Sequence, residues 1–217
     1  MVLERSINLT FHGIGEPGRA LSPGESDVWV SSEQFAALLD SAAGRDDVRI
    51  TFDDGNASDL EIALPALRER GLSATFFVVA GRLDVPRFLD AEGVRELAAA
   101  GMEIGCHGMR HRAWRGLDDS ALHEELVQSK ALLERVVARP VTRAACPFGS
   151  YDRRVLRGLR RAGYEHVYTS DCGVTRPDEW LQVRYSVGPH DAPGILERID
   201  GRASLTRRAK LALKRWR

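Results

Sequence analysis

The chain is short of several things at once. It has only three cysteines, Cys106, Cys146 and Cys172, with neither a CxxC pair nor an even number to pair off. That excludes a disulfide framework, and the three read as reduced thiols. Aromatic residues are 7% of the sequence, and the most apolar stretch, Ala74 to Ala80, is the length of a strand. A membrane-spanning helix needs roughly 18 apolar residues in a row, so no crossing is expected. Neither sign of charge is in excess, with Lys+Arg and Asp+Glu at 31 each, and nucleic acid has no electrostatic reason to bind. The opening MVLERSINLTFHGIGE carries Glu4, Arg5 and Asn8 where a secretory signal would have an apolar core, and the expectation is a cytoplasmic protein.

What is present is an alternation of short β-rich runs with helical periodicities. Strands are expected at Ile7 to Phe11, Val48 to Phe52, Thr75 to Val79, Met102 to Cys106, Thr142 to Cys146, His166 to Thr169 and Leu181 to Val187. Helices are expected over 35–42, capped by Ser31 or Ser32, then over 60–70, 87–100 and 153–162. A long helix capped by Asp118 or Asp119 carries Leu122, Leu126, Leu133 and Val137 on one face, with Glu124 and Glu125 near its positive end and a scaffold role. This order predicts an α/β protein with about seven mostly parallel strands and a single core, as suits 217 residues.

Folds of this kind collect ligands at the C-terminal ends of parallel strands. His12, Asp53, Asp54, His107, His111 and the Pro147-Phe148-Gly149 turn all fall at or just beyond such an end. Imidazole and carboxylate groups suit a divalent cation, and Asp54, His107 and His111 supply three. Singly these signals are weak, since Asp-Asp-Gly is an ordinary turn. In combination they are specific, because TFDDG at 51–55, HGMRH at 107–111 and CPFGSYD at 146–152 occur in order, each after a strand.

On these motifs residues 7 to 200 or so resemble the polysaccharide deacetylase family, also called NodB-homology or carbohydrate esterase 4. The resemblance implies one distorted (β/α) barrel of about seven parallel strands over 1–200, followed by a basic helix or tail over 201–217. It implies Asp53 as catalytic base, a divalent metal (usually zinc) on Asp54, His107 and His111, and Pro147, Phe148 and Gly149 as one wall of the substrate groove. The implied reaction is hydrolysis of an acetyl group from an N-acetylated sugar. In such a site the metal lowers the pKa of water, the base takes a proton from it, and a general acid protonates the leaving amine.

Three departures from the family pattern stand out. Ala145 occupies the place of an arginine that orients the base in the family, and Arg184, on the last expected strand and expected to bind substrate, is the candidate to replace it. The late leucine-x-histidine that carries the acid has no clear match. His12, ending the first strand, is the preferred acid, with His190 second, and the expectation sets His12 across the carbonyl from Asp53. Gly108 stands where the family has Ser or Thr. The final segment, Arg202 to Arg217, holds seven basic residues and no acid, a pattern that allows peripheral contact with an anionic membrane. Two other readings remain open on sequence: an amidohydrolase acting on a non-sugar C–N bond, and a silent carbohydrate-binding relative.

Overall fold

The expected strands pair side by side into one parallel sheet that curls almost closed. In the computed structural model, which describes residues 5–201, they are β1 (Ser6–Phe11), β2 (Val48–Asp54), β3 (Ala74–Val78), β4 (Glu103–Cys106), β5 (Arg143–Ala145) and β6 (His166–Thr169). The last strand comes in two pieces, β7 (Leu181–Val183) and β8 (Tyr185–Ser186), parted only by Arg184. β7 pairs with β6 and β8 with β1, so one interrupted strand closes the barrel in the order β7-β6-β5-β4-β3-β2-β1-β8. Asn8 stitches the seam, its Nδ2 donating to Val183 O at 2.9 Å and to Gln182 Oε1 at 3.2 Å. Counting the interrupted strand once gives the seven expected.

Side chains alternate between two environments along each strand. On β1, Ile7, Leu9 and Phe11 join the main apolar core, together with Phe35, Phe52 and Phe76. Phe52 and Phe76 stack at 4.5 Å, and Phe11 meets Phe35 edge-on at 5.0 Å. Each such ring contributes about 1.5–3 kcal/mol on burial. The other face of β1 carries Ser6, Asn8 and Thr10, all buried. Thr10 Oγ1 lies 2.9 Å from Thr51 Oγ1, which fixes this polar row inside the barrel. Phe77, Ala145 and Tyr168 form a second, small apolar cluster.

Helices cover the outside. They are α1 (Ser32–Ala42), α2 (Leu64–Glu69), α3 (Ala91–Ala99), α4 (119–137), α5 (Arg153–Arg161) and α6 (Ile195–Gly201). Ser31, Asp90, Asp118 and Asp152 each cap a helix by accepting a backbone N–H. The helix expected from residue 87 starts instead at Ala91, because Asp90 is the cap and Arg87 has φ 71°. Two π-turns were not foreseen, Asp59–Ala63 leading into α2 and Glu124–Gln128 inside α4. Neither was the short pairing of Gly13–Ile14 with Trp29–Val30 after β1. Among the described residues no helix is long and apolar enough to cross a membrane. The basic segment 202–217 lies outside the described residues.

Candidate active site

β2 ends in Thr51-Phe52-Asp53-Asp54, and successive residues of a strand point in opposite directions. Asp53 follows Thr51 into the lumen. There Arg184, 1% exposed, grips it with two bonds, Nη1 to Oδ1 at 2.6 Å and Nη2 to Oδ2 at 2.7 Å. The guanidinium lies over Phe77 and Tyr168, at 5.1 and 5.8 Å from their ring centres. Ala145 belongs to the same cluster, and its small side chain leaves that space to Arg184. The arginine missing at 145 has thus been supplied from the last strand, and Arg184 meets Asp53 rather than the surface. Burial alone would raise the Asp53 carboxyl, but Arg184, helped by His107 and His12, holds it below the usual range.

Asp54 turns the other way, with φ 77°, towards the loop after β4. Its Oδ1 lies 3.0 Å from His111 Nε2 and 3.6 Å from His107 Nε2. The donor atoms of Asp54, His107 and His111 all fall within 4.8 Å of one another. Ligands about 2.1 Å from a tetrahedral ion are about 3.4 Å apart, so this set can hold a divalent cation. His107 is oriented for it: Nδ1 donates to Ala145 O at 2.9 Å, leaving Nε2 bare toward the carboxylates. Burial pushes the His107 imidazole down to about 4, although Asp53 opposes this, so the neutral ligating form prevails near neutral pH. Burial works against ionised Asp54 as well, yet hydrogen bonding and charge from His111, with His107, hold it far below the usual range.

Sequence reading missed what supports the histidine loop. Glu125, fully buried on the π-turn of α4, accepts from Met109 N at 2.8 Å, Arg110 N at 3.1 Å and Trp114 Nε1 at 3.4 Å. A Cβ at Gly108 would sit 2.3 Å from Glu125 Oε2, and Gly108 has φ +84°. Glycine at 108 and glutamate at 125 are therefore one device: the loop is steadied by a distant carboxylate instead of a local hydroxyl. The available signal was an acid placed on the apolar side of α4, three residues after Leu122 and four before Ser129. Arg82 was missed as well; its Nη1 is 3.8 Å from Asp54 Oδ1.

The other expected residues fall out unevenly. His12 reaches the site, with Nε2 4.0 Å from Asp53 Oδ2 and a side chain 15% exposed. Its place near Asp53 follows from β1 and β2 being neighbours in the sheet. His190 is exposed on the loop after β8. Of the Pro147-Phe148-Gly149 turn only Phe148 faces outward, 70% exposed with φ 57°, its ring 4.6 Å from that of His111. Pro147 and Gly149 are buried and shape the turn. Asp171 accepts from Tyr151 and Thr169 in a structural loop.

Residues 40–167 match the polysaccharide deacetylase family, more than half the chain, and the protein belongs to that family. It is 30% identical over 124 residues to a peptidoglycan-N-acetylglucosamine deacetylase of Bacillus cereus, covering 57% of this chain and 56% of that protein. It is 27% identical over 177 residues to a chitooligosaccharide deacetylase of Rhizobium leguminosarum bv. trifolii, covering 79% and 73%. The chain spans about half the length of two of the relatives it matches, 50% of the polysaccharide deacetylase YxkH of Bacillus subtilis and 56% of the Bacillus cereus protein. The fold is that of the Streptococcus pyogenes deacetylase PplD, with a TM-score of 0.77 at 20% identity over 90% of this chain and 97% of that one. The polysaccharide deacetylase BC0361 of Bacillus cereus gives a TM-score of 0.78 at 22% identity over 90% and 69%.

Proposed function

We propose that this protein is a metal-dependent hydrolase that removes the acetyl group from an N-acetylated glycan. The observation that carries the reading is a buried, arginine-held carboxylate, Asp53, set directly beside a converging Asp54, His107 and His111 triangle. An ionised base clamped by Arg184 next to a metal-ligand set is more than a silent binding relative requires. The names of the relatives, one for peptidoglycan N-acetylglucosamine and one for chitooligosaccharide, support an N-acetylated sugar as the substrate.

Asp54, His107 and His111 would hold the ion, and zinc suits such a donor set. Bound there, it would supply Lewis-acid polarisation of the acetamide carbonyl and lower the pKa of water. Asp53 then accepts the proton of the attacking water, and Arg184 keeps both carboxylate oxygens fixed while it does so. When the C–N bond breaks, the amine nitrogen takes a proton, which we assign to His12 as the imidazole adjoining Asp53. Phe148 offers a flat apolar face to a sugar ring beside His111.

The test is metal content and amine release measured together on N-acetylated oligosaccharides. We expect about one divalent ion per chain, and turnover that is lost to a chelator and restored by zinc. His107→Ala should lose the metal, whereas Asp53→Asn should keep it and lose turnover. His12→Ala should lower kcat by about 10²–10⁴-fold with metal retained. A metal-loaded protein that releases no amine, or an Asp53→Asn variant with full turnover, would overturn the reading.

A further inference from the structure

Arg82 is the charged group closest to the ligand set that the proposed chemistry leaves unused, and its placement is fixed. It follows β3 in the turn Ala80-Gly81-Arg82, which is bolted to the histidine loop by Ala80 N to Gly108 O and Gly81 N to Met109 O, both 2.9 Å. A Cβ at Gly81 would lie 2.4 Å from Met109 O, so the close approach depends on glycine. The guanidinium carbon sits 4.7 Å from the centre of the Phe88 ring, which Arg19 also contacts at 4.7 Å. Arg82 is 28% exposed, with Nη2 3.3 Å from His111 Nδ1 and Nη1 buried without a hydrogen-bond partner.

The surrounding charges are paired within the protein, and among the described residues Arg82 has as its carboxylate only Asp54, at 3.8 Å, which the ion would also engage. Asp53 is neutralised by Arg184, and Arg19 by Glu25, with Asn56 accepting a further bond from it. Asp59 lies nearby, and burial, followed by the charges of Asp54 and Asp53, raises its carboxyl well above the usual range. That leaves Asp54 as the remaining carboxylate, facing both Arg82 and the ion that the ligand set would bind. A guanidinium placed beside a divalent cation is repelled by it, and a neutral N-acetyl sugar offers only uncharged oxygens in return. A carboxylate or phosphate does, since it fits the guanidinium fork with two parallel bonds.

Building on the deacetylase reading above, we infer that Arg82 selects for an N-acetylated sugar carrying an acidic group, carboxylate or phosphate, close to the acetamide. The experiment compares N-acetylmuramic acid and N-acetylglucosamine 6-phosphate with N-acetylglucosamine, on the parent protein, Arg82→Gln and Arg82→Lys. The parent should favour at least one acidic sugar by about tenfold or more in kcat/KM. Arg82→Gln should bring that ratio to about one, and Arg82→Lys should restore part of it. No acidic preference in the parent, or a preference that survives in Arg82→Gln, overturns the inference. Equal loss on acidic and neutral sugars also overturns it and moves Arg82 to the acetyl oxygen. Should no sugar release amine, the deacetylase reading fails by itself. Calorimetric titration of the metal-loaded protein with N-acetylglucosamine 6-phosphate then decides Arg82 alone, because the inference requires tight binding that Arg82→Gln abolishes.

Discussion

Arg184 meets its carboxylate where water does not reach, and the energetics of such pairs are lopsided. Both partners are buried, so desolvation consumes much of their attraction, but removing one leaves an uncompensated charge that costs about 3–5 kcal/mol. Arg184→Met should therefore destabilise the protein and release Asp53 from the influence that holds its carboxyl down. The sign follows directly: without the guanidinium, burial dominates and the Asp53 pKa rises, so the base is protonated at a higher pH. The acid limb of kcat/KM against pH should move upward by one unit or more, measured on the fraction that remains folded. An unmoved limb would mean that Asp53 is not the titrating base. The pairing was half legible in the sequence, where Ala145 marked a missing arginine and Arg184 a late one. Contact between residues 131 apart needed the barrel.

The histidine loop depends on a helix on the outside of the barrel. A π-turn adds a residue to one helical turn, and in α4 it carries Glu125 inward beneath residues 108–110. Glu125→Ala would strand two loop N–H groups and the Trp114 indole, at about 1–3 kcal/mol for each group left unpaired in the interior. We expect a lower melting temperature and, because outer contacts orient ligands, metal affinity weaker by about 10–100-fold. Thermal melting with zinc titration checks this; a variant with parental metal affinity would reduce Glu125 to a packing residue. Periodicity marked α4 as amphipathic and narrowed its cap to Asp118 or Asp119, of which Asp118 is the one. It could not show that an acid on the buried side was wanted there, because the loop it serves comes earlier in the chain.

For the molecule as a whole, stability carries a term from a carboxyl outside the proposed chemistry. Asp59 is fully buried on the π-turn before α2, and neither oxygen has a hydrogen-bond partner. Burial foremost, then Asp54 and Asp53, raises its pKa well above 3.8. The folded chain thus holds this proton more tightly than the unfolded chain. Its contribution is complete below the unfolded pKa, about 3.9, and is lost as pH rises toward the folded value. Asp59→Asn removes the requirement for a proton, so its melting temperature relative to the parent should climb between pH 4 and pH 8. A difference that stays flat over that range would mean that Asp59 is ionised in the fold.

The sequence by itself determined the seven strands, the end of the barrel where the candidate site lies, and the grouping of Asp54, His107 and His111 as residues that could hold a metal. These are local signals: a period of two, a cap, a motif at the end of a strand. Tertiary structure alone decided who stands next to whom. It brought Arg184 onto Asp53 by breaking the last strand between its two neighbours, put Glu125 under the histidine loop, and set His12 4.0 Å from Asp53. Closing a sheet makes the first and last strands adjacent, and packing turns a helix's buried side toward one particular loop. Both are relations between distant residues, and no pattern in a single stretch of sequence contains them.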